Sequence, residues 1–149
     1  MSAKVTRKIL IIDDEADTRI FMSNLLSSHG YKSIYAENRA EGLEKAIAEK
    51  PMVIIIDMMM PGKGGMQLYR DLKREEKLNK VPVIMLSTID KQTFFKIQGV
   101  GHSRLGAEMH VPEIYLQKPH EAEELLTIIR KISGTLATKS KQTIPGRHP

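Results

Sequence analysis

Short apolar runs alternate along this chain with longer segments whose apolar residues recur at helical spacing. Five runs have the length and composition of strands, at residues 8–12 (KILII), 33–36, 52–56 (MVIII), 82–86 (PVIML) and 113–117 (EIYLQ). The runs KILII and MVIII are almost free of polar residues, which is typical of strands covered on both faces. Helices are predicted at 17–29, 39–50, 66–78 and 121–133. This order predicts an α/β fold in which helices cover both faces of one parallel sheet.

The predicted helices carry signals at their ends. Gly30 follows the helix at 17–29, as glycine commonly does just beyond a last turn. Asn38 is a suitable N-cap for the helix that follows. The first helix is expected to bury an apolar face made of Ile20, Phe21, Leu25 and Leu26.

The connection between the fourth and fifth strands is long. Thirty residues separate Ser87 from Lys118, whereas one helix with its loops needs about 20. The stretch 98–112 contains three glycines and a proline. We therefore expect a fourth helix in this connection together with an extended segment within about 90–112.

Polar residues of particular types follow four of the predicted strands. Asp13 and Asp14 follow the first strand, Asp57 the third, Ser87 the fourth and Lys118 the fifth. Ligands of open parallel α/β sheets bind at the carboxyl ends of the strands. We expect these five side chains to converge at one edge of the sheet.

Three neighbouring carboxylates repel one another unless a cation lies between them. Mg²⁺ prefers oxygen ligands and commonly takes one or two carboxylates, a phosphate and several waters. Asp57 and Asp14 could each supply a carboxylate, and Asp13 could act through a bound water. Lys118 supplies a compact positive charge for a phosphoryl group, and Ser87 a hydrogen-bond donor. The set suits phosphoryl transfer, with a carboxylate as the nucleophile.

The segments that contain these residues resemble the receiver domain of two-component response regulators, in the CheY-like superfamily. The similar segments are ILIIDDE (9–15), IIIDMMMPGKGG (54–65), VPVIMLS (81–87) and YLQKP (115–119). The resemblance extends over residues 8–133 and implies a flavodoxin-like, doubly wound sheet of five parallel strands, in the order 2-1-3-4-5, with five flanking helices. Residues 1–7 then form an N-terminal extension, and 134–149 a basic tail that we expect to be disordered.

The resemblance also implies roles for the acidic residues. Asp57 is implied as the residue that accepts a phosphoryl group from a phosphohistidine. Asp14, Asp57 and the backbone carbonyl of Met59 are implied as ligands of Mg²⁺ (or Mn²⁺), with Asp13 in the outer shell. Many members of the family carry a polar residue where this chain has Met59, so an apolar side chain here is expected to hinder the attacking water and lengthen the phosphoryl lifetime.

Two further residues are implied as parts of a switch. Ser87 matches the hydroxyl that moves toward the phosphate, and Tyr115 matches the aromatic side chain that turns inward. The implied phosphoryl donor is a sensor histidine kinase or a histidine phosphotransfer protein. The signal is expected to pass to an unidentified protein through the fourth helix, the fifth strand and the fifth helix. We expect a monomer or a phosphorylation-dependent dimer, without an output domain after residue 133.

Other functions are less compatible with these residues. A phosphorylation-independent interaction module, that is, a degenerate receiver, stays open, although Asp13, Asp14, Asp57, Ser87 and Lys118 are all present. A small phosphatase of the haloacid dehalogenase type needs a second Asp where Met59 stands. An FMN-binding protein would have hydroxyl and glycine residues after the first strand, where this chain has acids. We therefore expect a phosphoacceptor signalling protein rather than an enzyme with its own substrate.

Composition narrows the remaining classes. The chain has no cysteine, which excludes disulfides and thiolate metal sites. Its longest apolar run, 52–60, contains Asp57, and a membrane span needs about 20 apolar residues. The net charge is +5, but three basic residues and no acid lie in 134–149. The rest is only weakly basic, so we expect a cytoplasmic protein that binds neither DNA nor membranes.

Overall fold

The computed structural model describes residues 7–58, 64–90, 92–93, 96, 114–118 and 122–142, apart from the side chains of 133 and 135–142. The strands are β1 (Lys8–Ile12), β2 (Lys32–Ala36), β3 (Val53–Asp57), β4 (Val83–Ser87) and β5 (Ile114–Gln117). The helices in this part of the chain are α1 (Ala16–Ser27), α2 (Arg39–Glu49), α3 (Gly64–Arg74) and α4 (Ala122–Gln142).

The strands form one parallel sheet in the order β2-β1-β3-β4-β5. This confirms the α/β, flavodoxin-like fold and the strand order that the resemblance implied. Alternate residues of the central strands face opposite sides of the sheet. Leu10 and Ile54 pack in one apolar cluster with α2 and α3, whereas Ile11 and Ile55 pack in the other with α1 and α4. The sheet is therefore covered on both faces.

Helix α1 differs from the sequence prediction in the face that it buries. Met22 and Leu26 are buried against the sheet, whereas Ile20 and Phe21 are each 56% exposed. Residues at 20 and 21 lie 100° or more around a helix from Met22, at about 100° per residue. The expected burial of Ile20 and Phe21 was wrong, because the buried stripe passes through Met22 instead.

Helix α4, which corresponds to the predicted fifth helix at 121–133, is longer than predicted. Its backbone is helical from Ala122 to Gln142, nine residues beyond the expected end at 133. The helix thus includes 134–142, which we expected to belong to a disordered tail, and 143–149 lie outside the described residues. The segment after Gly134 contains leucine, alanine, lysine and glutamine, which favour helix, and its prolines come only at 145 and 149.

Two other predictions about helices have different outcomes. The Asn38 side chain accepts a 2.8 Å hydrogen bond from the backbone N–H of Glu41, so Asn38 is confirmed as the N-cap of α2. The predicted fourth helix and the extended segment within 90–112 fall almost entirely outside the described residues. No helix in the described part of the chain is both long and apolar enough to span a membrane.

Strand β2 lies at one edge of the sheet. The Lys32 N–H donates to the Arg7 carbonyl at 2.9 Å, and the Ala36 carbonyl accepts from the Asp13 N–H at 3.1 Å. Both groups therefore point toward β1. The peptide groups of alternate residues, including Tyr35, therefore face away from β1. The Tyr35 carbonyl accepts a 2.7 Å hydrogen bond from Lys45 Nζ, on α2.

Candidate functional site

The polar residues predicted at the strand ends meet at the carboxyl edge of the sheet. Asp13 follows β1, Asp57 is the last residue of β3 and Ser87 is the last residue of β4. Lys118 follows β5, where its backbone N–H donates a 2.7 Å hydrogen bond to the Ser87 carbonyl. The parallel sheet therefore brings together side chains that are far apart in the sequence.

Three carboxylates form the centre of this site. Asp13 and Asp57 are 1% and 4% exposed, and Asp14 is exposed. One carboxylate oxygen from each of the three lies within 4.8 Å of the others. Burial, together with the nearby charges of Asp57 and Asp14, raises the pKa of Asp13 to about 6. The Glu15 N–H and the Lys118 ammonium oppose this increase in pKa.

The two oxygens of Asp13 differ in their surroundings. Oδ1 accepts a 2.9 Å hydrogen bond from the backbone N–H of Glu15. Oδ2 is buried and has no hydrogen-bond partner among the described residues. A buried carboxylate oxygen without a donor is costly unless a cation or an ordered water satisfies it. With three carboxylates so close together, these residues fit a hard divalent cation such as Mg²⁺.

Lys118 supplies the positive charge within the site. Its Nζ lies 3.6 Å from Asp57 Oδ1 and 3.9 Å from Asp13 Oδ2. These separations exceed an ordinary hydrogen bond, so the ammonium attracts both carboxylates without closing on either. Its side chain is 21% exposed. Lys118 is therefore accessible to an anionic group that approaches Asp57.

Ser87 and Tyr115 both bond to the backbone of Ile89. The Ser87 hydroxyl accepts a 3.0 Å hydrogen bond from the Ile89 N–H. The Tyr115 hydroxyl donates a 2.6 Å hydrogen bond to the Ile89 carbonyl. Burial raises the pKa of Tyr115, while a hydrogen bond with the Ser87 side chain acts in the opposite direction. The Tyr115 phenol thus stays neutral and can serve as a donor near neutral pH.

Gly65 lets α3 approach the strand that carries Asp57. A Cβ atom at Gly65 would lie 2.5 Å from Met58 Cα and 2.7 Å from the Asp57 carbonyl oxygen. The sequence prediction started this helix at residue 66, so Gly65 lay just before it. Its position in the first turn of α3, against this backbone, explains why no side chain is present here. Met59, the remaining candidate residue, lies outside the described residues.

One side chain at the site was missed from the sequence. Arg19 lies on α1 and donates a 2.7 Å hydrogen bond from Nη1 to the backbone carbonyl of Asp13. Its side chain is only 13% exposed. No sequence pattern indicates this contact, because an arginine near the start of a helix is ordinarily a solvated surface residue.

The sequence of residues 9–130 matches the family model of the response regulator receiver domain. The chain is 35% identical over 125 residues to Protein PilH of Pseudomonas aeruginosa, which covers 84% of this chain and 96% of PilH. It is 34% identical over 128 residues to the phosphate regulon transcriptional regulatory protein PhoB of the same organism, covering 86% of this chain. That second match spans only 52% of PhoB, about half of that protein.

Solved structures have the same architecture. The chemotaxis response regulator CheY4 of Vibrio cholerae is similar with a TM-score of 0.70 at 26% identity, over 85% of this chain and 98% of CheY4. The receiver domain of Francisella response regulator 1452 also has a TM-score of 0.70, at 27% identity, over 87% of this chain and 98% of that domain.

Proposed function

The chain belongs to the response regulator receiver domain family, and from this we propose that it is a phosphorylation switch with Asp57 as the phosphoacceptor. One observation carries the proposal: carboxylate oxygens of Asp13, Asp14 and Asp57 lie within 4.8 Å of one another beside the Lys118 ammonium. Phosphoryl transfer requires a nucleophile and groups that neutralise the charge on the phosphoryl oxygens. Here a carboxylate would be the nucleophile, and a hard cation and a lysine would neutralise that charge.

The proposed reaction transfers a phosphoryl group from a phosphohistidine to Asp57. An Asp57 carboxylate oxygen attacks the phosphorus, a P–O bond forms, and the P–N bond to the imidazole breaks with its electron pair returning to nitrogen. The product is an acyl phosphate, which water later hydrolyses to restore the carboxylate. Lys118 Nζ, 3.6 Å from Asp57 Oδ1, lies where it can pair with a phosphoryl oxygen.

The carboxylates would hold Mg²⁺ (or Mn²⁺), which neutralises the charge that gathers on the phosphoryl oxygens during transfer. Asp14 and Asp57 are the proposed direct carboxylate ligands, with the Met59 carbonyl completing the protein's share and Asp13 acting through water. The buried Asp13 Oδ2, which has no hydrogen-bond donor in the described part of the chain, supports this assignment.

Ser87 and Tyr115 are the proposed switch residues. In the structure the Ser87 hydroxyl is bonded to the Ile89 N–H, and Tyr115 to the Ile89 carbonyl. A phosphoryl oxygen on Asp57 would attract the Ser87 O–H as a hydrogen-bond donor, and that movement would take the hydroxyl oxygen away from the Ile89 N–H. Movement of Ser87 thereby reaches the Ile89 backbone and the Tyr115 ring that is bonded to it.

The proposed partners follow from this chemistry. A sensor histidine kinase or a histidine phosphotransfer protein supplies the phosphoryl group. A protein target reads the change on the surface next to β5 and α4. We further propose that the chain is cytoplasmic, and that it is a monomer or dimerises on phosphorylation.

Intact-protein mass after incubation with acetyl phosphate and Mg²⁺ tests the proposal. We expect a gain of one phosphoryl group in the wild type and none in Asp57→Asn or in the presence of EDTA. Asp71→Asn is a matched control, because Asp71 bonds to Arg39 and Gln67 away from the site. An unmodified wild type that also fails to bind Mg²⁺ would instead support the degenerate receiver.

A further inference from the structure

We propose that Arg19 is a positioning residue for the metal site, because it fixes the peptide that joins Asp13 to Asp14. This inference rests on the proposed function, since it assumes that these carboxylates share a divalent cation. Arg19 bonds to the carbonyl oxygen of Asp13, which belongs to the Asp13–Asp14 peptide group. The orientation of that peptide sets the position of the Asp14 Cα and therefore where the Asp14 side chain can reach.

The Asp13 residue is held at three of its polar groups. Its N–H donates to the Ala36 carbonyl at 3.1 Å, and its Oδ1 accepts from the Glu15 N–H at 2.9 Å. Arg19 Nη1 satisfies the carbonyl at 2.7 Å. Oδ2 is the group left without a hydrogen bond in the described part of the chain. The residue is therefore fixed with one oxygen available inside the site.

Asp14 lacks comparable support of its own. It is exposed, and among the described residues no hydrogen bond or ion pair to its carboxylate is found. Its position within the cluster consequently depends on the main chain before and after it. The next residue, Glu15, is the N-cap of α1, so the helix holds the far side. Arg19 holds the near side by bonding to the Asp13 carbonyl.

The contact is specific to the main chain rather than a general effect of charge. Arg19 Nη1 bonds to the Asp13 carbonyl, whereas no ion pair of Arg19 with a carboxylate of the site is found in the described part of the chain. The other partner of Arg19 is Glu37, at 4.0 Å, and the Glu37 side chain is 68% exposed. A long, solvated ion pair of this kind contributes little. The 2.7 Å bond to Asp13 is what accounts for an arginine that is 13% exposed.

The position of Arg19 on α1 is itself fixed. Its backbone N–H donates to the Glu15 carbonyl at 3.2 Å, within the first turn of the helix. The Arg19 side chain therefore extends back along that turn to Asp13, the residue that follows β1. Residues that orient metal ligands without touching the metal commonly change metal affinity about 10-fold to 100-fold when they are removed. A backbone contact one step further away is expected to have a smaller effect, of about 5-fold to 10-fold.

Arg19→Met tests the proposal, because methionine keeps most of the aliphatic stem and has no donor. Isothermal titration calorimetry with MgCl₂ should give a dissociation constant raised about 5-fold to 10-fold. The urea midpoint in EDTA should fall only by the small amount expected for one lost hydrogen bond. With acetyl phosphate, the half-saturating Mg²⁺ concentration should rise by the same factor while the rate at saturating Mg²⁺ is kept. A purely structural role would lower the midpoint in the same way but would leave the half-saturating Mg²⁺ concentration unchanged.

Three further variants make the result decisive. Arg19→Lys keeps one donor and should give an intermediate dissociation constant, which also serves if Arg19→Met does not fold. Arg39 lies outside the site and pairs with Asp71 at 3.1 Å. Arg39→Met should therefore leave Mg²⁺ binding unchanged. Glu37→Gln removes the other partner of Arg19 and should also leave it unchanged.

The failures are distinguishable. A wild type that binds Mg²⁺ normally, beside an Arg19→Met protein that binds within twofold of it, would overturn this inference and leave the proposed function intact. An effect of Glu37→Gln as large as that of Arg19→Met would overturn the backbone assignment. A wild type without Mg²⁺ binding would overturn both the inference and the proposed function.

Discussion

The Tyr115 hydroxyl donates a 2.6 Å hydrogen bond to the carbonyl of Ile89, whose own N–H is bonded to the Ser87 hydroxyl. One peptide segment, residues 87–89, thus connects the end of β4 to the aromatic ring on β5. Any group that draws the Ser87 hydroxyl away from Ile89 acts on the same backbone that Tyr115 holds.

Tyr115→Phe is expected to lower the free energy of unfolding by about 1 kcal/mol, because the half-buried Ile89 carbonyl loses its donor. Urea denaturation measures this change. Tyr35→Phe is the control, since Tyr35 is 45% exposed and its ring lies at the edge of the sheet. Equal effects of the two substitutions would show that the hydroxyl of Tyr115 contributes nothing through Ile89.

The raised pKa of Asp13 predicts a pH dependence of the metal-free protein. In the folded state the carboxyl binds a proton with a pKa of about 6, whereas the ordinary pKa of an aspartate is 3.8. Between these values the folded state holds more protons than the unfolded state, so the contribution of Asp13 to stability falls as pH rises through the window. Asp13→Asn should therefore be more stable than the wild type at pH 7 in EDTA, by about 1 to 2 kcal/mol.

The control for this effect is the same pair of proteins below pH 3. This pH lies well below both pKa values, so the Asp13 carboxyl is mostly protonated in both states and the advantage of Asp13→Asn should largely disappear. Urea denaturation at both pH values gives the comparison. A difference between the two proteins that is independent of pH would contradict burial of a charged Asp13 as its cause.

Mg²⁺ should stabilise the folded protein, because it binds the folded acidic cluster and has no comparable site in the unfolded chain. At a concentration 100 times the dissociation constant, the expected gain in the free energy of unfolding is about 2.7 kcal/mol. The gain should be smaller at pH 5 than at pH 7, since Asp13 is then mostly protonated. Thermal denaturation with and without MgCl₂ measures it, and an equal gain in Asp57→Asn would contradict the assigned ligands.

Two glycine substitutions should have opposite effects. Gly65→Ala places a Cβ 2.5 Å from Met58 Cα, so either α3 or the end of β3 must move. We expect a loss of about 2 kcal/mol or more of stability, together with weaker Mg²⁺ binding. Gly134→Ala on α4 meets nothing within 4 Å and should stabilise the helix by about 0.5 to 1 kcal/mol. Urea denaturation of both variants checks the signs, and a neutral Gly65→Ala would contradict the close approach.

Much of this architecture could be predicted from the sequence because its signals are local. The β3 run is apolar until Asp57 interrupts it, and the β4 run until Ser87, so the strand ends and the residues at the site edge appear together. The order of the strands came from the resemblance to receiver domains, and the parallel sheet confirms it. The roles of the site residues stay predictions.

What the sequence did not provide depends on tertiary contacts. Ile20 and Phe21 have helical spacing with Leu25 and Leu26, yet Met22 is buried beside Leu26 in their place. Spacing gives the width of an apolar stripe but not its centre. The bond from Arg19 to the Asp13 carbonyl likewise involves a backbone group, which carries no signal in a residue pattern. The extension of α4 to Gln142 followed helix propensity where composition had suggested a tail.

The contact between Lys45 and the Tyr35 carbonyl has a consequence for how copies of this protein meet. An outward-facing backbone carbonyl on an edge strand is a template to which another chain can add a strand, the first step of open-ended aggregation. Lys45, held by Glu41 at 3.1 Å, occupies that acceptor with a charged group. An incoming strand would have to displace the ammonium and desolvate it. Addition of a strand at this edge of the sheet is therefore disfavoured, so copies of the domain meet less readily through β2 than an uncovered edge strand would allow.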